Sequence, residues 1–101
     1  MLIYVDIDET ICHHLNNNSS VSRDYSGAIP IYENIKKIND LYDEGNTIVY
    51  WTARGTKTGI DWTSITTQQL EDWGVKYHEL YLKKPAYDLF ICDKTKRIEE
   101  I

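Results

Sequence analysis

Basic side chains are scarce in this chain. Eleven Lys and Arg face sixteen Asp and Glu over 101 residues, a formal net charge of −5. Affinity for a nucleic-acid backbone rests on many cationic contacts, so nucleic acid is not the expected partner. A small anionic substrate stays open, because one or two local lysines and a bound cation set the field inside a cleft. Cysteine is scarcer still. Cys12 and Cys92 are the only two, and their spacing fits neither a disulfide framework nor a metal knuckle. Both read as free thiols of a reducing compartment. No apolar run approaches membrane-spanning length. A strand is expected from residue 2, leaving no room for a signal peptide. A cytoplasmic protein with no membrane partner is the expectation. The length allows one domain, 1–101, with no material for a separate lid. Internal repeats are absent, and Asn16–Ser20 is the single low-complexity hint.

What the chain does contain is a series of short apolar runs ending in polar residues. Leu2–Asp6 reads as a buried strand. Residues 12–29 are polar and without a period, a long loop or a short hairpin flap; loops of that length are often functional. A helix is expected from Pro30, a residue suited to the first helical position. Ile31, Ile35, Ile38 and Tyr42 give it one apolar stripe, and Gly45-Asn46 ends it. Thr47–Trp51 is a second strand. A glycine-containing loop, 52–60, leads to a helix capped by Asp61. Trp62, Ile65, Leu70 and Trp73 mark its buried face, and Gly74 stops it. Tyr77–Leu82 reads as a short third strand, Lys83-Lys84-Pro85 as a break, and Tyr87–Cys92 as a last buried strand closed by Asp93. Residues 94–101 read as a helical turn or a frayed end. Strands separated by helices imply βαβ units and a mostly parallel sheet.

Parallel strands bring their carboxyl ends to one edge, where open α/β sheets bind ligands. Asp6 and Asp8 follow the first strand, Thr52 the second, and Asp93 the last, with Lys84 just before it. Five polar residues from distant parts of the chain would therefore converge. Two carboxylates can hold a hard cation, and a lysine and a hydroxyl can neutralise phosphate oxygens. Phosphoryl transfer needs little more than such positioning and charge. Of two adjacent carboxylates one protonates more easily, which suits Asp8 as an acid.

At these residues the chain resembles the haloacid dehalogenase superfamily of phosphotransferases. Asp6-Ile7-Asp8-Glu9-Thr10 looks like the first motif, Thr52 the second, Lys84-Pro85 the third and Ile91-Cys92-Asp93-Lys94 the fourth. The resemblance spans residues 2 to about 94 and implies a Rossmann-like three-layer α/β/α sandwich without a sizeable cap. It implies Asp6 as nucleophile, Asp8 as general acid and then base, Thr52 as a phosphoryl hydrogen-bond donor and Lys84 as the neutralising cation. It implies Mg2+ held by Asp6, the backbone of Asp8, and Asp93. Thr10, Ala53 and Arg54 are assigned to substrate contact. The fourth motif often carries two aspartates; here Cys92 stands in the first place, a poor ligand for a hard cation, leaving the duty to Asp93. Segments WTARG and KKPAYDLFICDK look similar to small phosphatases of surface-polysaccharide biosynthesis, which implies a phosphorylated sugar as substrate. Small size and many aromatics suggest a homo-oligomer, a dimer or tetramer.

The other polar residues have plainer readings. Lys83 reads as a surface neighbour, His13 and His14 as solvated loop residues, and Asp88 as structural or supporting. Trp62 and Trp73 read as core. Two rivals stand beside the phosphatase. One is a phospho-accepting signalling module, which would place its acidic pair elsewhere than two residues after the acceptor. The other is a non-catalytic relative acting in an assembly, for which Cys92 is the support.

Overall fold

The structure is a computed structural model that describes residues 1–14 and 24–101. Three parallel strands form the central sheet: β1 (Leu2–Val5), β4 (Thr47–Trp51) and β5 (Glu79–Tyr81), in the order β1-β4-β5. Two short strands, β2 (Cys12–His13) and β3 (Ile29–Pro30), make a separate antiparallel pair. Helix α1 (Tyr32–Asp43) joins the hairpin to β4, and α2 (Thr63–Asp72) joins β4 to β5. The architecture is α/β, as expected. Among the described residues no helix is long and apolar enough to cross a membrane.

Strand order explains where the helices go. Both crossovers advance in one direction across the sheet, and right-handed crossovers then place both helices on one face. Ile35 and Ile38 of α1 and Leu70 of α2 accordingly share one cluster with Val5, Ile48 and Tyr50. The other face carries Tyr4 and Trp51, edge to face at 5.8 Å, with Leu2, Tyr4 and Tyr81 exposed.

Several expectations need correction. Pro30 does not open the helix; it lies in β3 opposite Cys12. An edge strand tolerates a residue with no N–H, and α1 starts only after Ile31, whose N–H donates to Ile11 O at 2.8 Å. The hairpin reading of 12–29 is met at both ends; 15–23, including Asn16–Ser20, lies outside the described residues. In α2 the buried stripe is Thr66 and Leu70, and Ile65 is exposed. The N-cap of α2 is Trp62, not Asp61; Asp61 stands one residue earlier, and its Oδ1 accepts from the Thr63 N–H at 2.9 Å.

The largest correction is at the end of the chain. Tyr87–Cys92 forms no strand. Leu89, Phe90 and Ile91 are 74%, 52% and 86% exposed. A parallel strand beside the others needs a crossover of about a dozen residues or more, and only Leu82–Ala86 separates β5 from Tyr87. The sequence pattern is that of a strand; the connection is too short to place it as a parallel strand of this sheet. The tail ends in a one-turn 3-10 helix, Ile98–Glu100, with Ile98 packed on the core.

Tyr50 is fully buried in that core, and its hydroxyl has no hydrogen-bond partner among the described residues. Burial pushes the phenol up from its ordinary value. A buried orphan hydroxyl costs about 1–3 kcal/mol. Tyr50→Phe is therefore expected to raise stability by about 1 kcal/mol in urea unfolding; a loss would show that the hydroxyl finds a partner in solution.

Candidate active site

The carboxyl ends of β1 and β4 open onto a cleft of about 490 Å3. Asp6, Asp8, Thr52, Ala53, Arg54 and Lys84 all line it, with Tyr25, Lys57, Tyr87 and Asp88. Six of the expected site residues are thus brought together. Thr10 is not on the wall; its carbonyl accepts from Asn34 Nδ2 at 2.9 Å, tying the loop after β1 to α1. Asp93 is not there either. It is exposed beside Cys92, and the third carboxylate on the wall is Asp88.

The loop after β1 turns sharply. Ile7 O accepts from the N–H groups of Thr10 and Ile11, at 3.1 and 2.9 Å. Glu9 pays for the turn with φ of 64°, a left-handed conformation rare for a non-glycine residue. The turn faces Asp6 and Asp8 into the cleft in different company. Asp6 accepts from the Ile7 N–H at 2.9 Å and meets Lys84 Nζ at 3.6 Å. Its side chain is 42% exposed. Burial raises its carboxyl above the ordinary carboxylate value, against the pull of Lys84.

Asp8 is held far more tightly. Arg54 donates to both its oxygens, Nε to Oδ2 at 3.1 Å and Nη2 to Oδ1 at 2.9 Å. His14 Nε2 lies 2.9 Å from Oδ1. Burial pushes the Asp8 carboxyl up, but Arg54 and then His14 outweigh it and hold the group below its usual range. The order of the two carboxylates is thus the reverse of the sequence expectation: Asp6 is the easier to protonate.

Arg54 was expected to touch substrate. It is 2% exposed. Besides Asp8, Nη1 donates to Thr66 Oγ1 at 3.0 Å and Gln69 Oε1 at 2.6 Å, and Nη2 reaches Cys12 Sγ at 3.7 Å. An Arg fork has five N–H groups, and these contacts engage all of them. Arg54 therefore positions Asp8 and locks α2 to the site. Its guanidinium also lies 4.8 Å over the Tyr25 ring. Next to it, only a glycine fits at 55: φ is +81°, and a Cβ there would sit 2.1 Å from Ile60 O.

Lys84 is delivered by backbone pairing. Its N–H donates to Thr52 O at 3.2 Å and its carbonyl accepts from Thr56 Oγ1 at 2.8 Å. Nζ sits 5.7 Å from the Trp51 ring and 5.2 Å from the Tyr87 ring. Thr52, 1% exposed, has its Oγ1 accepting from the Arg54 N–H at 3.2 Å.

Sequence reading missed His14 and Cys12. His14 is 8% exposed and bonded to Asp8, not solvated. The signal was their spacing of two, which puts Cys12, in β2, and His14, just past its end, on one side of an extended segment. Asp8, Cys12 and His14 bring ligand atoms within 4.8 Å of one another. The set is ill-suited to a hard cation. Arg54 Nη2 already occupies the shared Asp8 oxygen, and the Cys12 thiol is pushed up to about 12, chiefly by burial. The open Asp6 carboxylate fits Mg2+ better, being an oxygen ligand on the cleft.

No family model matches the chain, and no curated protein matches it. A crystal structure of a structural-genomics target from Vibrio cholerae is similar in fold, with a TM-score of 0.82 at 25% sequence identity, over 98% of this chain and 85% of that one. Its description names no activity.

Proposed function

We propose that the cleft is the active site of a Mg2+-dependent phosphatase of the haloacid dehalogenase type. The observation that carries the reading is the meeting of Asp6 and Lys84 at 3.6 Å across a cleft walled by Thr52. A carboxylate left open beside a held lysine is what in-line attack on a phosphate monoester needs. The three-layer sandwich of that family belongs to the same reading, with β1-α1-β4-α2-β5 as one half of it.

In this reading Asp6 attacks phosphorus. The Asp6 O–P bond forms as the ester P–O bond breaks, and the leaving alcohol takes up a proton. Water then attacks the aspartyl-phosphate, releasing phosphate and restoring the carboxylate. Lys84 neutralises charge on Asp6 and the transferring group. The Thr52 hydroxyl offers its proton to an equatorial oxygen. Asp8 serves as acid and base only when its carboxylate turns from Arg54 toward the leaving group, so Arg54 and His14 set how readily it does so. Mg2+, held by Asp6 and the Asp8 carbonyl, would supply Lewis acidity and a template.

A volume of about 490 Å3 suits a phosphorylated monosaccharide, with Tyr25 and Tyr87 as apolar walls. A cytoplasmic setting, with Cys12 and Cys92 as free thiols, goes with this substrate class. Phosphate release from a panel of sugar phosphates and p-nitrophenyl phosphate tests the reading. Release with Mg2+ that stops on EDTA is expected. Release unaffected by EDTA would remove the metal from the proposal, and a folded protein silent on the whole panel would favour a non-catalytic assembly role.

A further inference from the structure

Three features of the fold are unexplained by a lone phosphatase domain. Leu89-Phe90-Ile91 is an exposed apolar run with the composition of a buried strand. The outer edge of β1 has no paired strand among the described residues, and open apolar edges invite pairing. Asp93, at the end of the run, lies away from the cleft.

The run cannot reach the outer edge of its own β1 as a parallel strand. Tyr87 and Asp88 already line the cleft at the carboxyl end of the sheet. From there an extended segment can only lead away from the site, at about 3.3 Å per residue. Pairing parallel to its own β1 would first require a return to the amino end, and Leu82–Ala86 is too short for that crossover.

We propose that Leu89–Cys92 is an exchanged strand that pairs parallel with the outer edge of β1 in a second copy of this chain, each copy giving and receiving one. The contact is isologous and closes as a dimer. It would cover the exposed Leu89, Phe90 and Ile91 and use the free backbone groups of β1. It runs in the direction that carries Asp93 of each copy to the carboxyl end of the other's sheet, beside Asp6. Only the use of Asp93 in the site rests on the phosphatase reading; the exchange rests on backbone and burial.

Two measurements on the full chain separate these parts. Sedimentation velocity is expected to give a dimer for the wild type and a folded monomer for the double variant Leu89→Lys, Ile91→Lys. Both residues are exposed within one copy, so the variant keeps its own core. A wild type that is monomeric at tens of micromolar, or a double variant that stays dimeric, overturns the exchange. Next, Asp6→Asn and Asp93→Asn are unfolded, mixed and refolded together. Half of the dimers are then mixed, each with one intact site, so release near a quarter of the wild-type rate is expected from two nearly inactive parents. A silent mixture beside an active wild type, or an active Asp93→Asn parent, overturns the delivery of Asp93. A dimer that the double variant dissociates, with no activity in any protein, supports the exchange and sinks the phosphatase reading instead.

Discussion

Asp6→Asn is expected to release phosphate at least ~10^4-fold more slowly than the wild type, the scale on which loss of a nucleophile is felt. An amide cannot form the aspartyl-phosphate, and it withdraws the charge that faces Lys84 at 3.6 Å. The fold is expected to survive. Burial raises the Asp6 carboxyl above its ordinary value, so its charged form is disfavoured in the folded protein. Replacing it leaves melting unchanged or slightly raised, a small effect because the side chain is 42% exposed. Steady-state release and a thermal melt on the same preparation decide the matter. Activity within about tenfold of wild type would show that Asp6 is not the nucleophile. A collapsed melt would show that its role is structural.

Arg54→Leu is expected to be among the most damaging substitutions to stability. The guanidinium is buried and bonded to Asp8, Thr66 and Gln69. Asp8 is 16% exposed, so its charge is left nearly buried and short of its main partner. Removing one member of such a pair costs about 3–5 kcal/mol. At about 4–8 °C per kcal/mol for a domain of this size, melting should fall by at least ~10 °C. Lysine is not expected to rescue it, because one ammonium cannot replace a fork engaged on four side chains. The deficit depends on pH with a definite sign. Asp8 has its folded value depressed. Its stabilisation is therefore full above the ordinary carboxyl value of 3.8 and is lost as pH falls through the lower folded value. Wild type and variant should differ most near neutrality and converge in strong acid. Parallel melts at both ends of that range check this; a gap that persists in acid would place the cost in the Thr66 and Gln69 contacts.

Much of the site was legible because its residues end strands. Asp6 and Thr52 meet as the pattern predicted, since parallel strands deliver their carboxyl ends to one edge; Lys84 joins them from the segment after β5, its N–H pairing with Thr52 O. Helix α1 and strand β4 were legible from local pattern: Ile35 and Ile38 fall at helical spacing, and Thr47–Trp51 is a run of β-branched and aromatic residues. The role of Arg54 was not legible. Its partners come from two distant parts of the chain, Asp8 in the loop after β1 and Thr66 and Gln69 in α2, and nothing local distinguishes a fork locked between them from a solvated loop arginine. His14 was missed for the same reason: one histidine in a polar stretch reads as solvated until the β2–β3 hairpin folds it onto Asp8.

The sequence by itself determined the α/β class, the parallel strands β1, β4 and β5, and that Asp6, Asp8 and Lys84 reach the edge. These follow from short-range period and from the connection rules of βαβ units. Tertiary structure alone decided which carboxylate is held and which is open, that Arg54 is a strut, and that Tyr87–Cys92 stays outside the sheet. A strand pattern states a preference for burial; whether a chain can satisfy it depends on the length of the connection and on a free edge within reach. Here Leu82–Ala86 is too short for the crossover, so a segment with the composition of a core strand lies in solvent.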